Sequence, residues 1–448
     1  MCMSERLFPI PMVERKSEVQ PGQVKGAPRL VRPNRAQMEL RAVDLDGLLA
    51  ADHAARAVWD FVEALDLSAL YAKVEAVEGA AGRPATDPRI YLALWLYAIV
   101  EGVGSARALE RLTQQHDAYR WICGGVSVNH HSLSDFRVEH VEFLDQLLTH
   151  SVAVLMSQGL VTLHRVAQDG VRVRANAGAS SFRRQTTLER CLEEATEQIE
   201  RLRQELEEAP ESTSRRQAAA RQRAAEDRQR RVAEALAQMP DAASKKRSGE
   251  QDQARVSTTD AEARVMKMAD GGFRPAYNGQ FSVDTTTQIV VGVEVSNHGS
   301  DQGKLVPMTE QLQKRYGTTP AESLVDGGFA GLQDIEKASR LGTKVYAPVA
   351  KPKDAQRDPY EPLETDPPPI AEWRRRMGTA EAKEIYKSRA ASVECVNALA
   401  RNRGLQRLLV RGKRKVRAVF LWFAVAHNLM RILSLRVAAS ASAALAPA

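Results

Sequence analysis

Apolar positions recur at spacings of three and four from about residue 45 to residue 160, the period of helices that bury one face. AARAVWDFVEALDLSALYAKV and DPRIYLALWLYAIVEGV carry the pattern most clearly, and the apolar run Ile90 to Val100 predicts a buried helix. It is the longest such run in this reading and falls short of the roughly 20 residues a bilayer span needs. SARALERLTQQHDAYRWICGGVSVNHHSLSDFRVEH predicts a short helix, a second ending at Trp121–Cys123, a break at Gly124-Gly125 and a third capped by Ser132 or Asn129. A DNA-reading helix–turn–helix fits this pattern no better than an ordinary helical bundle.

The period changes at Val161, where VTLHRVAQDGVRVRA alternates and is rich in valine, a strand signal. After Phe182 the residues Leu188, Leu192, Ala195, Ile199, Leu202 and Leu206 step by four and three, a heptad seam. A weaker stripe at Ala225, Val232, Leu236 and Met239 follows the break APESTS, so the two segments read as arms of an antiparallel helical hairpin. From residue 277, GQFSVDTTT and QIVVGVEVS predict strands, LVPMTEQLQKRYG a helix, ESLVDGGF a buried strand, GLQDIEKASRLG a helix and TKVYAPV a strand. A proline-rich loop, a helix from about Ala371 to Arg401 and the apolar helix VFLWFAVAHNLMRIL complete the pattern.

This order predicts an α/β fold: a ribonuclease-H-like mixed sheet with a helical N-terminal domain and an inserted helical hairpin. The expected divisions are an extended or disordered arm over 1–44, the helical domain over 45–160 and the first part of the sheet domain over 161–182. The hairpin then spans 183–255, the rest of the sheet domain 256–436, and a disordered Ala/Ser/Pro tail 437–448.

Charge adds one localised feature. The chain of 448 residues carries 63 Lys and Arg against 56 Asp and Glu, a net +7. Residues 401–417 (RNRGLQRLLVRGKRKVR) alone supply +8, so the remainder sums to −1. Such a strip predicts sequence-independent contact with a phosphate backbone, through Arg401, Arg403, Arg407, Arg411, Lys413, Arg414, Lys415 and Arg417. The four cysteines, Cys2, Cys123, Cys191 and Cys395, form no CxxC pair, which argues against a disulfide framework or structural zinc and for a reducing, cytoplasmic setting. HGSDQGKL lacks the full phosphate-loop pattern, so no nucleotide cofactor is expected, and the absence of a long apolar span or signal-peptide core implies no membrane.

Two aspartates close expected strands, Asp169 before Gly170 and Asp326 before Gly327-Gly328. Each alone reads as a turn residue; together they suit the carboxyl ends of strands in an open sheet, where functional groups converge. Two such carboxylates with a third acid can hold a pair of Mg²⁺ ions, which clamp the attacking and leaving oxygens of a phosphodiester. Within the later helix the segment EAKEIYKSRAASVECVNALARNRG offers Glu381, Glu384 and Glu394, and Glu394 is the one set in apolar surroundings. Lys387, Glu394 and Arg401, seven apart, share one helical stripe.

These residues, with YRWICGG…HHSLSDFR, QDGVRVRANA, TDAEARVMKMADGGFRPAYNGQFSVD, LVDGGF and YKSRAASVE followed by RGKRKV, resemble the bacterial insertion-sequence transposases of the DDE superfamily. The resemblance implies that Asp169, Asp326 and Glu394 form the acidic triad binding two Mg²⁺ ions, with Mn²⁺ able to substitute. It further implies that Tyr386, Arg389 and Arg401 stand at a Tyr-Arg-Glu-Lys signature; Asp284, in a matching motif, reads as support for the site or as a turn residue, and Asn278 and Gln280 read equally as positioning DNA or as structural at a strand edge. Arg389 precedes the glutamate by five residues where four is usual, about 140° round an α-helix, which makes Lys387 the better phosphate partner on geometry. Cys395-Val396-Asn397-Ala398 replaces the usual Pro-Val-Phe-Gly.

The expected function is metal-dependent cleavage and strand transfer at the terminal inverted repeats of a mobile element. Double-stranded DNA, as transposon ends and target, would be the partner, with a homodimer in the synaptic complex and location in the bacterial cytoplasm at the nucleoid. The helical domain at 45–160 would bind DNA and the sheet domain would be catalytic. A non-catalytic DNA-binding regulator and a metal-dependent structure-specific nuclease are the alternatives.

Overall fold

A ten-residue strand, β1 (Arg165–Arg174), runs through the middle of the sheet in the computed structural model, with Ala167, Val171 and Val173 buried on one face and Gln168 on the other. The structure describes residues 44–77, 79, 84–208, 214–352, 354 and 356–444, with Pro33, Ala36 and Met38. Most of the arm expected over 1–44 therefore lies outside the described residues.

Further strands are β2 (Phe182–Arg183), β3 (Val256–Ser257), β4 (Arg264–Lys267), β5 (Phe273–Asp284), β6 (Val290–Ser296), β7 (Glu322–Leu324) and β8 (Lys344–Tyr346). β5 pairs antiparallel with β1, β4 and β6, whereas β7 runs parallel to β1 and β8 parallel to β7. The resulting order β6-β5-β1-β7-β8 is consistent with a ribonuclease-H-like arrangement. Strands β2, β3 and β4, at two to four residues, are too short for an alternating pattern to reveal them.

The helical N-terminal region comprises α1 (Ala54–Glu63), α2 (Ser68–Tyr71), α3 (Pro88–Val100), α4 (Ala106–Gln115), α5 (Asp117–Cys123), α6 (His130–Glu139) and α7 (Val141–Ser157). α3 is buried around most of its circumference, as its apolar run requires, and Trp95 donates its indole N–H to the Leu133 carbonyl at 2.8 Å. Gly124 ends α5 in a left-handed conformation, and of the two cap candidates Asn129 caps α6 by accepting from the Ser132 N–H at 3.0 Å.

Between β2 and β3 stand α8 (Gln185–Glu208), α9 (Arg215–Ala237) and the short α10 (Met239–Ser244). Leu188, Ala195 and Ile199 are buried on the first arm and Ala225, Val232 and Ala235 on the second, whereas Leu206 is exposed, so the seam loosens away from the sheet.

The remaining helices are α11 (Leu305–Tyr316), α12 (Leu332–Arg340), α13 (Pro368–Gly378), α14 (Ala380–Arg389), α15 (Cys395–Asn402) and α16 (Lys413–Ala444). Over Lys413–Ala438, α16 is long and apolar enough by length and composition to cross a membrane, which exceeds the Ile90–Val100 run. Its middle is packed between the sheet and the N-terminal helices and carries partnered polar groups. Asn428 exchanges two 2.8 Å hydrogen bonds with the Val290 backbone, and Trp422 donates to the Arg137 carbonyl at 2.9 Å. A Cβ at Gly279 would lie 1.9 Å from the Phe420 ring, so only glycine lets α16 seat this closely on β5. The tail expected to be disordered from 437 instead continues α16 to Ala444, in keeping with the helix propensity of its alanines; residues 445–448 lie outside the described residues.

Candidate active site

The last paired rung between the parallel strands β1 and β7 joins Ala167 to Leu324. Two residues beyond that rung in each strand come Asp169 and Asp326, so the register sets both carboxylates at the same end of one ladder.

The two reach that place differently. Asp169 does not end its strand, as expected, because β5 stays paired with β1 as far as Arg174. Gly170 is needed there for space, since a Cβ would lie 2.3 Å from the Asp301 carboxylate on the opposite face. Asp326 does open a turn, accepting the Gly328 N–H at 2.8 Å at the head of the 3₁₀ turn Gly327–Phe329.

Glu394 arrives from the helical side. Between α14 and α15 the chain makes a π-helical turn, Ala390–Glu394. The wider turn takes up one extra residue. Arg389 and Glu394 consequently face the same way despite their spacing of five, and their side chains meet at 2.6 Å. The second guanidinium nitrogen of Arg389 lies 3.0 Å from Asp169 Oδ1. Arg389 thus bridges a strand carboxylate and a helix carboxylate, and the 140° divergence expected of an α-helix does not arise.

Asn397, on α15, donates to the other Asp169 oxygen at 2.9 Å. Burial pushes the Asp169 carboxyl above its ordinary value, the charge of Asp326 adds to that, and Arg389 and Asn397 oppose it. For Arg389, burial disfavours the charge, yet Asp169, Tyr386, Asp326 and Glu394 together hold it above the ordinary arginine value. Tyr386 stands half-buried in the same field, its phenol raised first by burial.

Several expected contributors lie elsewhere. Lys387 is exposed and pairs with Glu384 at 2.6 Å, because the π turn breaks the seven-residue stripe that would have aligned it with Glu394 and Arg401. Asn278 and Gln280 project from the opposite sheet face, fully buried, and both donate to Asp301 Oδ1 at 2.7 Å. Asp284 sits opposite Val166, three residues from the Asp169 rung, and binds the turn after β5 through Thr286 and Thr287. His130, near the Gly124-Gly125 break, contacts Glu110 at 2.9 Å.

The basic strip divides into two groups. Arg414 grips both oxygens of Glu142, at 3.0 and 2.8 Å, and Arg417 meets Asp145 at 2.8 Å, both on α7. Arg403 is half-buried, which lowers its pKa, with Glu101 opposing. Arg401, Arg407, Arg411, Lys413 and Lys415 are exposed, with no side-chain ion pair among the described residues.

Asn397 escaped the sequence reading, where it was visible only as a departure from a usual motif. Asp260 escaped too: buried, it accepts from the Tyr277 hydroxyl at 2.6 Å and the Gly412 N–H at 3.2 Å, tying the start of α16 to the sheet. Asp260 lies within a segment quoted for its resemblance and Asn397 in one quoted as a departure, but a pairing across 152 or 228 residues leaves no periodic signal.

The donor set suits a hard divalent cation, being three carboxylates plus a buried amide oxygen, Asn397 Oδ1, that has no hydrogen-bond partner among the described residues. As placed, no three His, Cys, Asp or Glu side chains among the described residues gather closely enough to hold an ion, and Arg389 stands between Asp169 and Glu394.

Two family models match the chain: one described as a transposase domain (DUF772), over residues 43–139, and one described as a transposase DDE domain, over residues 368–433. The first covers most of the N-terminal helices; the second covers Tyr386, Arg389, Glu394 and most of α16, but neither Asp169 nor Asp326. No curated protein and no solved structure matches.

Proposed function

We propose, for a chain whose two family matches support a DDE-type insertion-sequence transposase, that it cleaves DNA at the ends of its element and joins them to a target. The observation that carries this reading is the double ion pair of Arg389 with Asp169 and Glu394, which unites the end of the β1·β7 ladder with the helix that follows the sheet. Asp169, Asp326 and Glu394 would hold divalent metal, Mg²⁺ or in its place Mn²⁺. When bound, a pair of such ions supplies a clamp for the attacking and leaving oxygens of an in-line displacement.

The residues themselves then have separable tasks. Asn397 fixes the Asp169 carboxylate, and Arg389 keeps the helix acid turned toward the strand acids. With the carboxylates engaged by metal, Arg389 and Tyr386 would be free to contact the phosphate. The exposed cations Arg401, Arg407, Arg411, Lys413 and Lys415 hold the backbone beyond it. Water attacks the phosphorus, the P–O3′ bond breaks, and a 3′-hydroxyl and a 5′-phosphate result. That 3′-hydroxyl next attacks a target phosphodiester, displacing its 3′-oxygen, so each bond made matches one broken. No protein nucleophile is required. The helical region at 45–160 would bind the end sequence, and two protomers would synapse two ends.

A strand-transfer assay with a terminal-repeat duplex and Mg²⁺ tests this. Cutting and joining is the expected result, with Asp326→Asn abolishing both while duplex binding persists. Binding alone would indicate a regulator, and cutting without joining a nuclease; full cleavage by the Asp326→Asn chain would remove the assignment.

A further inference from the structure

At the root of the helical hairpin, on the side away from its tip, lies a cleft of about 650 Å³. Its walls come from three stretches far apart in sequence: the entry to the hairpin with Arg184, the exit with Lys245, Lys246 and Arg255, and the sheet domain with Arg264 and His298. No Asp or Glu lines it. The basic side chains do not share one role. Arg264 is buried and locked by Asp241 at 2.8 Å, by Gln238 and by two backbone carbonyls, and Lys245 meets the same Asp241 at 2.8 Å. Those two build the floor. Arg184, Lys246 and Arg255 are exposed and have no ion pair among the described residues. The unbalanced field also acts on His298, whose pKa is lowered first by burial and then by Lys245 and Lys304.

One loop ties the cleft to the far face of the strand that carries Asp169 and to the segment after Asp326. Ser300 lines the cleft, and the next residue, Asp301, lies over Gly170 on the sheet face opposite Asp169. Gln302 packs on Gly331, and the Gly303 N–H donates to Asp334 at 2.6 Å, both just past the turn that Asp326 opens. The hairpin root is therefore held in fixed relation to the segment carrying Asp326.

We propose that this cleft seats a stretch of the phosphate backbone of the bound DNA, so that the insertion contributes to end binding through its root. The inference rests on the proposed function, which supplies the polymer. Three exposed cations, one from the entry and two from the exit of the hairpin, suit a run of phosphates, and the buried Arg264 Nε in the floor has no hydrogen-bond partner among the described residues. Every neutralised phosphate releases counterions and steepens the salt dependence by roughly 0.9 in the slope of log K against log salt for duplex DNA.

The test is duplex binding by fluorescence anisotropy between about 50 and 200 mM salt, the range over which that dependence is large. The variant Arg184→Ala/Lys246→Ala/Arg255→Ala should show a slope shallower by about 2 to 3, and Lys replacements of both arginines should restore it. Lys246→Ala alone, a solvent-facing change, should lower the slope by about 0.9 and keeps the question measurable if the triple variant does not fold. A wild-type chain that neither binds nor cuts DNA would remove the proposed function itself. Wild-type binding and cleavage with unchanged slopes in the single and triple variants would overturn the seat alone. So would a melting shift with inorganic phosphate that the variants lose without any change in DNA slope, which would assign the cleft to a small anion.

Discussion

Arg389 and Glu394 form a 2.6 Å ion pair although five residues separate them, because the π-helical turn Ala390–Glu394 lies between. In an uninterrupted α-helix the two would point about 140° apart, and the pair would need a spacing of three or four. The π turn restores by backbone geometry what the spacing would otherwise deny, and it carries the same guanidinium to Asp169 at 3.0 Å. Wide turns of this kind gather at functional positions in helices.

A consequence concerns chain length rather than side-chain identity. Deleting Ala390 should convert the turn to α-helix, put Arg389 four residues from the glutamate and leave α15 in register. Such a chain is expected to melt within a few degrees of wild type and to keep DNA cleavage. Inserting a second alanine at the same point should rotate Arg389 away and lower cleavage by at least about tenfold, the loss of one charged hydrogen bond at about 1.5 kcal/mol or more. Loss of cleavage in both chains would show that the turn does more than set register.

Much of the scaffold was legible because it rests on periods. The valine alternation of β1, the heptad seam through Leu188 and Ile199 and the unbroken apolar run of α3 each announce one element. Asp169 and Asp326 were legible as residues, but their equivalence depends on Ala167 facing Leu324, a register no local pattern records. The stripe of Lys387, Glu394 and Arg401 fails for a related reason: a seven-residue repeat assumes constant helical pitch, and the π turn changes it. Of the two roles open to Asp284 the turn is the one its hydrogen bonds fill, and alternation sends Asn278 to the far face, where it is a structural contact of Asp301. Contacts such as Asn397 with Asp169 join side chains 228 residues apart and were invisible.

That last contact has a measurable role. Asn397 holds Asp169 Oδ2 at 2.9 Å while Arg389 holds the other oxygen. Asn397→Ala should leave the carboxylate free to rotate, so the Mg²⁺ concentration for half-maximal cleavage is expected to rise by about 10- to 100-fold, the usual cost of losing a residue that orients a metal ligand. Duplex affinity without metal should not change. A chain with altered DNA affinity and unaltered metal dependence would place Asn397 among structural contacts instead.

The basic strip should separate into two classes when tested singly. Arg414→Ala removes an exposed pair with Glu142, worth about 0–1 kcal/mol, and should barely alter the salt dependence of duplex binding. Arg411→Ala and Lys415→Ala leave no ion-pair partner among the described residues behind, and each should reduce the salt slope by about 1 if it contacts a phosphate. Slopes unchanged from wild type in all three would mean that the cations near the start of α16 serve the fold and not DNA.

His427 gives a prediction about stability alone. It lies buried on α16 and donates Nε2–H to the Gln288 carbonyl at 2.9 Å, and burial lowers its pKa to about 4. The unfolded chain binds this proton near pH 6.5, the folded chain only near 4, so the neutral side chain contributes its full stability above about pH 6.5. As pH falls the unfolded state gains protons first, and stability should drop by up to about 1.4 kcal/mol per pH unit from this group, reaching about 3 kcal/mol in all near pH 4. Below that both states are protonated and the loss levels off. His427→Gln, which keeps a donor and cannot titrate, should lack this component when urea midpoints are compared between pH 7 and pH 4. Parallel losses in the two chains would show that other groups govern the acid limb.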